Sequence, residues 1–429
     1  MRFALILKLR MIEKTLTILN SFTKPSPILS AKDVALARIF VREHWQNLTR
    51  YNPKDTETLI GLPKPYLIPA YTQGNEFDFN ELYYWDSYFM VQGMLDEDHK
   101  ELVLGILENL VSLFERFGVI PNASRTYLMG RSQPPLLTTL IWDIYDTYDL
   151  DVTWLKRYMN VAEKEYKTVW MGTNKPHARK VHEGLSRYYD INMLNDLAEA
   201  ESGWDMTPRF KRQALNYLPV DLNCLLYKYE MDFARFYRLI GDKRTAGSWE
   251  EAAKYRSHMM EKLMWNKTKH LYYDYDYVKQ KQSTVASLAA FYPLWVGMVD
   301  EGRAKTLNNT LRKFIQKGGL STTDTYTLNQ RVPGATQPTQ WAYPNGWAPL
   351  QFIVVEGLRR YGYDSEARKI ARKWIKTNLD WFNQNGVFLE KYNVVQPHKP
   401  PMKGLYPTQV GFGWTNAIFE RFCQNYLDS

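Results

Sequence analysis

The 429-residue chain has two cysteines, Cys224 and Cys423. That scarcity excludes a disulfide framework and suits a reducing compartment. Cys224 falls in an apolar helical stretch, where a thiol behaves as a small buried hydrophobe. Histidine is also scarce. His44, His99, His177, His182, His258, His270 and His398 show none of the spacings that hold a metal. Long apolar runs are missing. The longest, Val285–Val299, contains Pro293 and is shorter than the roughly 20 residues a membrane-spanning helix needs. Phe3–Leu7 is too short, and too soon interrupted by charge, for the apolar part of a secretory leader. The expectation is a cytoplasmic protein without a membrane partner. There is no phosphate-binding P-loop, no dinucleotide glycine fingerprint and no Gly-x-Ser-x-Gly elbow. No cofactor and no metal are therefore expected. Against 46 acidic residues stand 55 basic ones, a net charge of +9. The Lys and Arg are scattered, which reads as a solvated surface and not as a nucleic-acid track.

Aromatic residues are abundant: 14 Trp, 30 Tyr and 19 Phe. Such a chain has ample surface to bury, so disorder is excluded. Most apolar residues recur at helical spacing. Pro219–Ile240 is the clearest case, with Leu222, Leu225, Leu226, Tyr229, Phe233, Phe236, Tyr237 and Ile240 on one stripe. Pro219 starts that helix and Gly241 stops it. Similar patterns predict helices over Val34–Leu48, Tyr83–Leu95, Lys100–Phe117, Pro135–Tyr148, Val152–Trp170, Ala246–Trp265, Val285–Val299, Arg303–Gln316, Leu350–Tyr361, Ser365–Phe382 and Gly413–Leu427. Strand signals are few. Tyr272–Val278 alternates Tyr and Asp and reads as a hairpin between helices. Residues 1–32 form an irregular lead-in, and no linker or fixed-period repeat divides 33–429. A dozen paired helices in one domain fit a bundle, a solenoid or a toroid. The lack of a repeat favours the all-α closed arrangement.

The unusual segments lie at helix ends, where Trp or Tyr mixes with carboxylates and amides. They are Glu81–Tyr88, Ile120-Pro121-Asn122 with Gly130–Pro135, Glu201–Asp205, Gln340–Trp347, and Gly411–Asn416 preceded by Glu390-Lys391-Tyr392. Sugar rings stack their C–H faces on aromatics and engage hydroxyls with paired polar groups. Core anchoring and helix capping could explain any one segment, but caps do not need repeated Trp-plus-carboxylate pairs. With other chemistries unsupported, carboxylates remain, and glycoside hydrolysis needs two of them.

These segments, in this order, resemble the trehalase family (glycoside hydrolase family 37). Glu81-x-Tyr83-x-Trp85-Asp86-x-Tyr88 is similar to part of its first signature, and Gln340-Trp341-x-x-Pro344-x-Gly346-Trp347-Ala348-Pro349 to its second. The motifs Arg131-Ser132-Gln133-Pro134-Pro135, Gly203-Trp204-Asp205, Glu390-Lys391-Tyr392 and Gly411-Phe412-Gly413-Trp414 complete the set. The resemblance implies an (α/α)6 barrel and hydrolysis with inversion, with Asp205 as general acid and Glu390 as general base. It implies sugar contacts from Phe79, Trp85, Asp86, Asn122, Arg131, Gln133, Trp204, Trp341, Trp347 and Trp414. The expected substrate is a small disaccharide, α,α-trehalose foremost, and the expected state is a monomer. The chain resembles a divergent member. Asp78 and Asn80 stand where the family carries arginines, Ala342 where it has Asp, and Leu405 where it has Glu. An Arg-Pro-x-Glu loop has no counterpart between Asp190 and Gly203. Those departures leave two alternatives: a glycosidase for another small α-glucoside, or a non-catalytic carbohydrate-binding relative.

Overall fold

A computed structural model describes residues 29–71, 79–173, 178–325 and 339–427. Most of the lead-in, and Asp78 with its altered charge, lie outside the described residues. Among the described residues, twelve helices alternate between an outer and an inner ring. The outer ring holds α1 (Ala31–Leu48), α3 (Lys100–Phe117), α5 (Val152–Glu165), α8 (Lys243–Met264), α10 (Glu301–Thr310) and α12 (Asp364–Asn385). The inner ring holds α2 (Tyr84–Val91), α4 (Leu137–Tyr148), α7 (Val220–Leu239), α9 (Tyr292–Trp295), α11 (Ala348–Arg360) and α13 (Gly413–Tyr426). Most inner neighbours pack side by side around the axis, and every inner helix but α9 also meets an outer partner. This is an (α/α)6 barrel. One short extra helix, α6 (Asn195–Glu201), precedes the Gly203-Trp204-Asp205 motif.

Composition sorts the rings. Every residue of α2 is buried, as are nearly all of α11 and α13. A helix apolar on all sides must be surrounded by protein. By contrast, α8 buries only Ala246, Ala253, Arg256, Met259, Met260 and Met264 along 22 residues. It is amphipathic, as a stave with one wet face should be. Ser30 caps α1 by accepting the Asp33 amide, and Asp151 caps α5 by accepting that of Trp154.

Two expectations changed. The run Val285–Val299 is helical only from Tyr292 to Trp295, after a 3-10 turn at Leu288–Phe291. Pro293 fits only the first turn of a helix, and Ser287 is bridged to Thr323 instead. Tyr272–Val278 is not one hairpin. Leu271–Tyr272 pairs with Trp265–Asn266, whereas Tyr275–Asp276 pairs with both Tyr217–Leu218 and Lys281–Gln282. Among the described residues, no helix is long and apolar enough to cross a membrane.

Candidate active site

Four of the inner helices, α2, α4, α11 and α13, begin at the cavity end of the barrel, and the polar–aromatic segments lead into them. Trp85 opens α2, Gln133 precedes α4, Trp347 precedes α11 and Trp414 opens α13. A cavity of about 320 Å³ lies there, within the range of small-ligand sites. It is lined by Phe79, Trp85, Asp86, Asn122, Arg131, Gln133, Asp205, Trp341, Trp347, Glu390 and Trp414, which are expected site residues, and by Tyr83, Gly203, Tyr406 and Gln409 among others. A larger opening of about 560 Å³ sits at the far mouth. Its charges largely satisfy one another, through Lys228 with Asp232, Arg235 with Asp146 and Arg359 with Glu356.

The two carboxylates predicted to act together meet in the smaller cavity. Asp205 accepts the Trp341 indole N–H at 3.2 Å and the Gln340 amide at 3.1 Å. The Tyr406 hydroxyl donates to Asp205 Oδ2 at 3.2 Å and lies 3.5 Å from Glu390 Oε1. The two oxygens are thus no more than about 6.7 Å apart. Burial first, and the Glu390 charge second, push the Asp205 carboxyl up to about 6, against hydrogen bonds from Trp341 and Tyr406 that pull it down. Glu390 forms an ion pair with Lys391, Nζ to Oε2 at 2.5 Å. Sequence neighbours of opposite charge ordinarily pair on a surface. These two are both buried, and Trp414 Nε1 holds the Glu390 carbonyl at 3.0 Å.

Local sequence explains this placement. Asn345–Trp347 pairs antiparallel with Lys391–Asn393, setting Trp347 opposite Lys391 and Gly346 opposite Tyr392. A Cβ on Gly346 would come within 2.6 Å of the Leu320 carbonyl oxygen, so only glycine admits the close approach. Gly203 is needed twice over. Its φ is +71°, and a Cβ there would stand 2.6 Å from Trp85 Cε2.

The remaining contacts are distributed as follows. Asp86 is buried, and desolvation followed by the Glu390 and Asp205 charges pushes it up to about 8. It therefore sits protonated at neutral pH, able to donate to a hydroxyl. Gln133 accepts the Trp85 amide at 2.9 Å, and Asn122 donates to the Ser132 carbonyl at 3.2 Å. Arg131 donates from Nη1 to the buried Asp190 at 3.3 Å, while its buried Nε has no partner. Glu201 accepts the Ser132 and Tyr189 amides, both at 2.7 Å, and so ties the Arg131 segment to the Asp190 segment. Phe79 packs edge-on to Tyr83. Trp204 is the exception: it does not line the cavity but lies fully buried behind Trp341. Asn80 accepts from Arg50 Nε at 3.4 Å, and neither residue lines the cavity. Sequence alone assigns no role to Tyr406 or Gln340, although Gln340 opens the Gln340–Pro349 motif and Tyr406 follows Leu405. No group of His, Cys, Asp or Glu able to hold a metal occurs among the described residues.

Comparison with known proteins bears on the family and the fold. The family model described as Trehalase matches residues 21–201 and 192–427. The periplasmic trehalase of Escherichia coli O1:K1 / APEC is 33% identical, over 88% of this chain and 73% of its own length. The neutral trehalase Nth1 from Saccharomyces cerevisiae superposes with a TM-score of 0.73 at 27% identity, covering 90% of this chain and 79% of that one. A mannosylglycerate hydrolase of Thermus thermophilus, with TM-score 0.65 and 19% identity over 89% of this chain and 99% of that one, shares the fold. The chain belongs to the trehalase family of glycoside hydrolases.

Proposed function

We propose that the protein hydrolyses α,α-trehalose with inversion, Asp205 acting as general acid and Glu390 as general base. The supporting observation is that both carboxyls face one Trp-walled cavity and are bridged by the Tyr406 hydroxyl. Protonated Asp205 gives its proton to the glycosidic oxygen as the C1–O bond breaks. Glu390 takes a proton from a water that attacks C1 from the opposite face. Asp86, Asn122, Arg131 and Gln133 bind the hydroxyls of the sugar under attack. The upper bound of about 6.7 Å on the carboxyl oxygens spans both the retaining separation of about 5–5.5 Å and the lower edge of the inverting range of about 6.5–9.5 Å, so the stereochemistry is decided by the product.

The test is the anomer released from trehalose, followed by NMR before mutarotation. Inversion yields α- and β-glucose in equal amounts, one from each half of the disaccharide. Formation of α-glucose alone would reject the assignment. A second reading, another small α-glucoside, is favoured by Leu405. It stands 73% exposed beside Tyr406, where the family resemblance calls for a carboxylate. A panel of α-glucosides distinguishes the two by kcat/KM. The scarcity of cysteine in the sequence is what supports a reducing compartment for this chain, whereas the relative from E. coli is named for the periplasm. Cell fractionation decides that point.

A further inference from the structure

Behind the general acid runs a continuous stack. Arg209 Cζ lies 4.3 Å from the Trp204 ring. Trp204 stacks on Trp341 at 5.3 Å and 19°, and Trp341 on Trp347 at 3.8 Å and 2°. Lys391 Nζ closes the far end, 4.8 Å from the Trp347 ring. Two buried cations thus clamp three parallel indoles. The middle indole donates to Asp205 and the terminal lysine pairs with Glu390. Arg209 is completely buried. It is fixed by Asp221, at 2.6 and 3.1 Å, and by Asp274, at 2.8 and 3.0 Å. It lines no part of the cavity and bonds to neither functional carboxyl.

We infer that Arg209 is a positioning residue for the reaction: through Trp204 it fixes the plane of Trp341, and so the direction of the N–H that Trp341 gives to Asp205. The inference rests on the reading of Asp205 as the general acid. A guanidinium presents a flat face to an indole, and with both cations desolvated the attraction at each end is strong. Parallel rings transmit a tilt to the next ring because packed interiors leave no slack. Two charges that differ in their partners also make the stack asymmetric. Arg209 is anchored by two carboxylates away from the cavity, and Lys391 by the general base within it. The anchored end therefore acts as the reference for the other.

The groups facing Asp205 are Glu390, Lys391, Tyr406, Gln340, Trp341 and Asp86, with Glu199 behind. Among these, the Trp341 N–H lowers the Asp205 carboxyl. Losing its alignment moves the alkaline limb of the kcat/KM profile to higher pH. Arg209→Lys keeps the charge and loses the flat face. The expected result is a fall in kcat of about tenfold or more with KM within about twofold, since small misplacements of a reacting group cost rate more than binding. The alkaline limb should move up by about half a pH unit or more. Trp204→Phe, which thins the stack between Arg209 and Trp341, should act in the same direction.

The two-site test is Arg209→Lys in a Trp341→Phe background. Phe has no N–H to misalign, so the lysine substitution should leave the pH profile unchanged there. Equal shifts in both backgrounds would overturn the inference. So would an unmoved limb in variants that melt cooperatively, or the failure of both Arg209→Lys and Trp204→Phe to fold, which would leave Arg209 a structural residue only. Turnover persisting in Asp205→Asn would instead overturn the assignment of the acid.

Discussion

The site concentrates its energetic strain in single carboxyls. Asp205 is raised to about 6 and Asp86 to about 8, both chiefly by burial. A general acid works only while protonated, so kcat/KM for trehalose should decline as pH rises through about 6, as a pH–rate profile would show. Replacing Asp205 by Asn removes the proposed proton donor without changing shape. Glucose release should drop by about 10²–10⁴-fold, and Glu390→Gln should do the same from the other side. The stability linkage has the opposite value for the cell. Carboxyls whose pKa is raised on folding leave stability full at low pH, and it drains away as pH climbs from the unfolded value of about 3.9 through the folded values. Asp86→Asn removes that loss. Its melting temperature should exceed wild type increasingly as pH rises from about 4 to about 8 and match it only below about pH 4, while trehalose turnover collapses. A melting temperature unchanged at alkaline pH would show that Asp86 ionises freely. Sequence named both residues because their motifs carry them. The shift itself could not be read there, since it depends on charges that are distant in the chain and adjacent in space.

Helices were largely legible because burial leaves a periodic trace. The boundaries of Lys100–Phe117 match the expectation, and α7 and α13 are within a residue of it. Legibility failed where one pattern serves two purposes. Val285–Val299 is apolar because it crosses the core, not because it is one helix, and its α9 is the shortest of the inner staves. Asn195–Glu201 was missed as a helix because it is too short to show a period, and it buries Glu199 and Glu201 alongside Ala198. The role of Trp204 was misjudged for another reason: adjacency to Asp205 in sequence suggested contact with sugar, yet successive residues point in different directions. At this scale stability and catalysis separate cleanly. Asp151 caps α5, an outer helix remote from the cavity. Asp151→Ala should cost about 1 kcal/mol in urea melts and leave kcat untouched. Gly203→Ala, by contrast, strains a left-handed turn and collides with Trp85. It should lose more stability and most of the activity together.

In the whole molecule, the barrel is closed by joining its first and last helices. Arg38 of α1 forks onto Glu420 of α13, with Nη2 to Oε1 at 2.7 Å and Nε within 3.1 Å of both oxygens. Glu420 is buried, so removing its partner strands a charge. Arg38→Ala should lower the unfolding free energy by about 3–5 kcal/mol, measured by denaturant titration. The activity of the folded fraction should stay normal. The closed form was anticipated from the absence of a repeat, yet which helices face inward emerges only from their burial. That arrangement has a historical consequence. Because inner staves start at the cavity end, what lines the cavity is contributed by their leading ends and the segments between them, while the staves themselves settle stability. Ala342 and Leu405 both lie outside the helices. Selection can therefore exchange one leaving group for another, one loop at a time, on a scaffold that never has to be refounded.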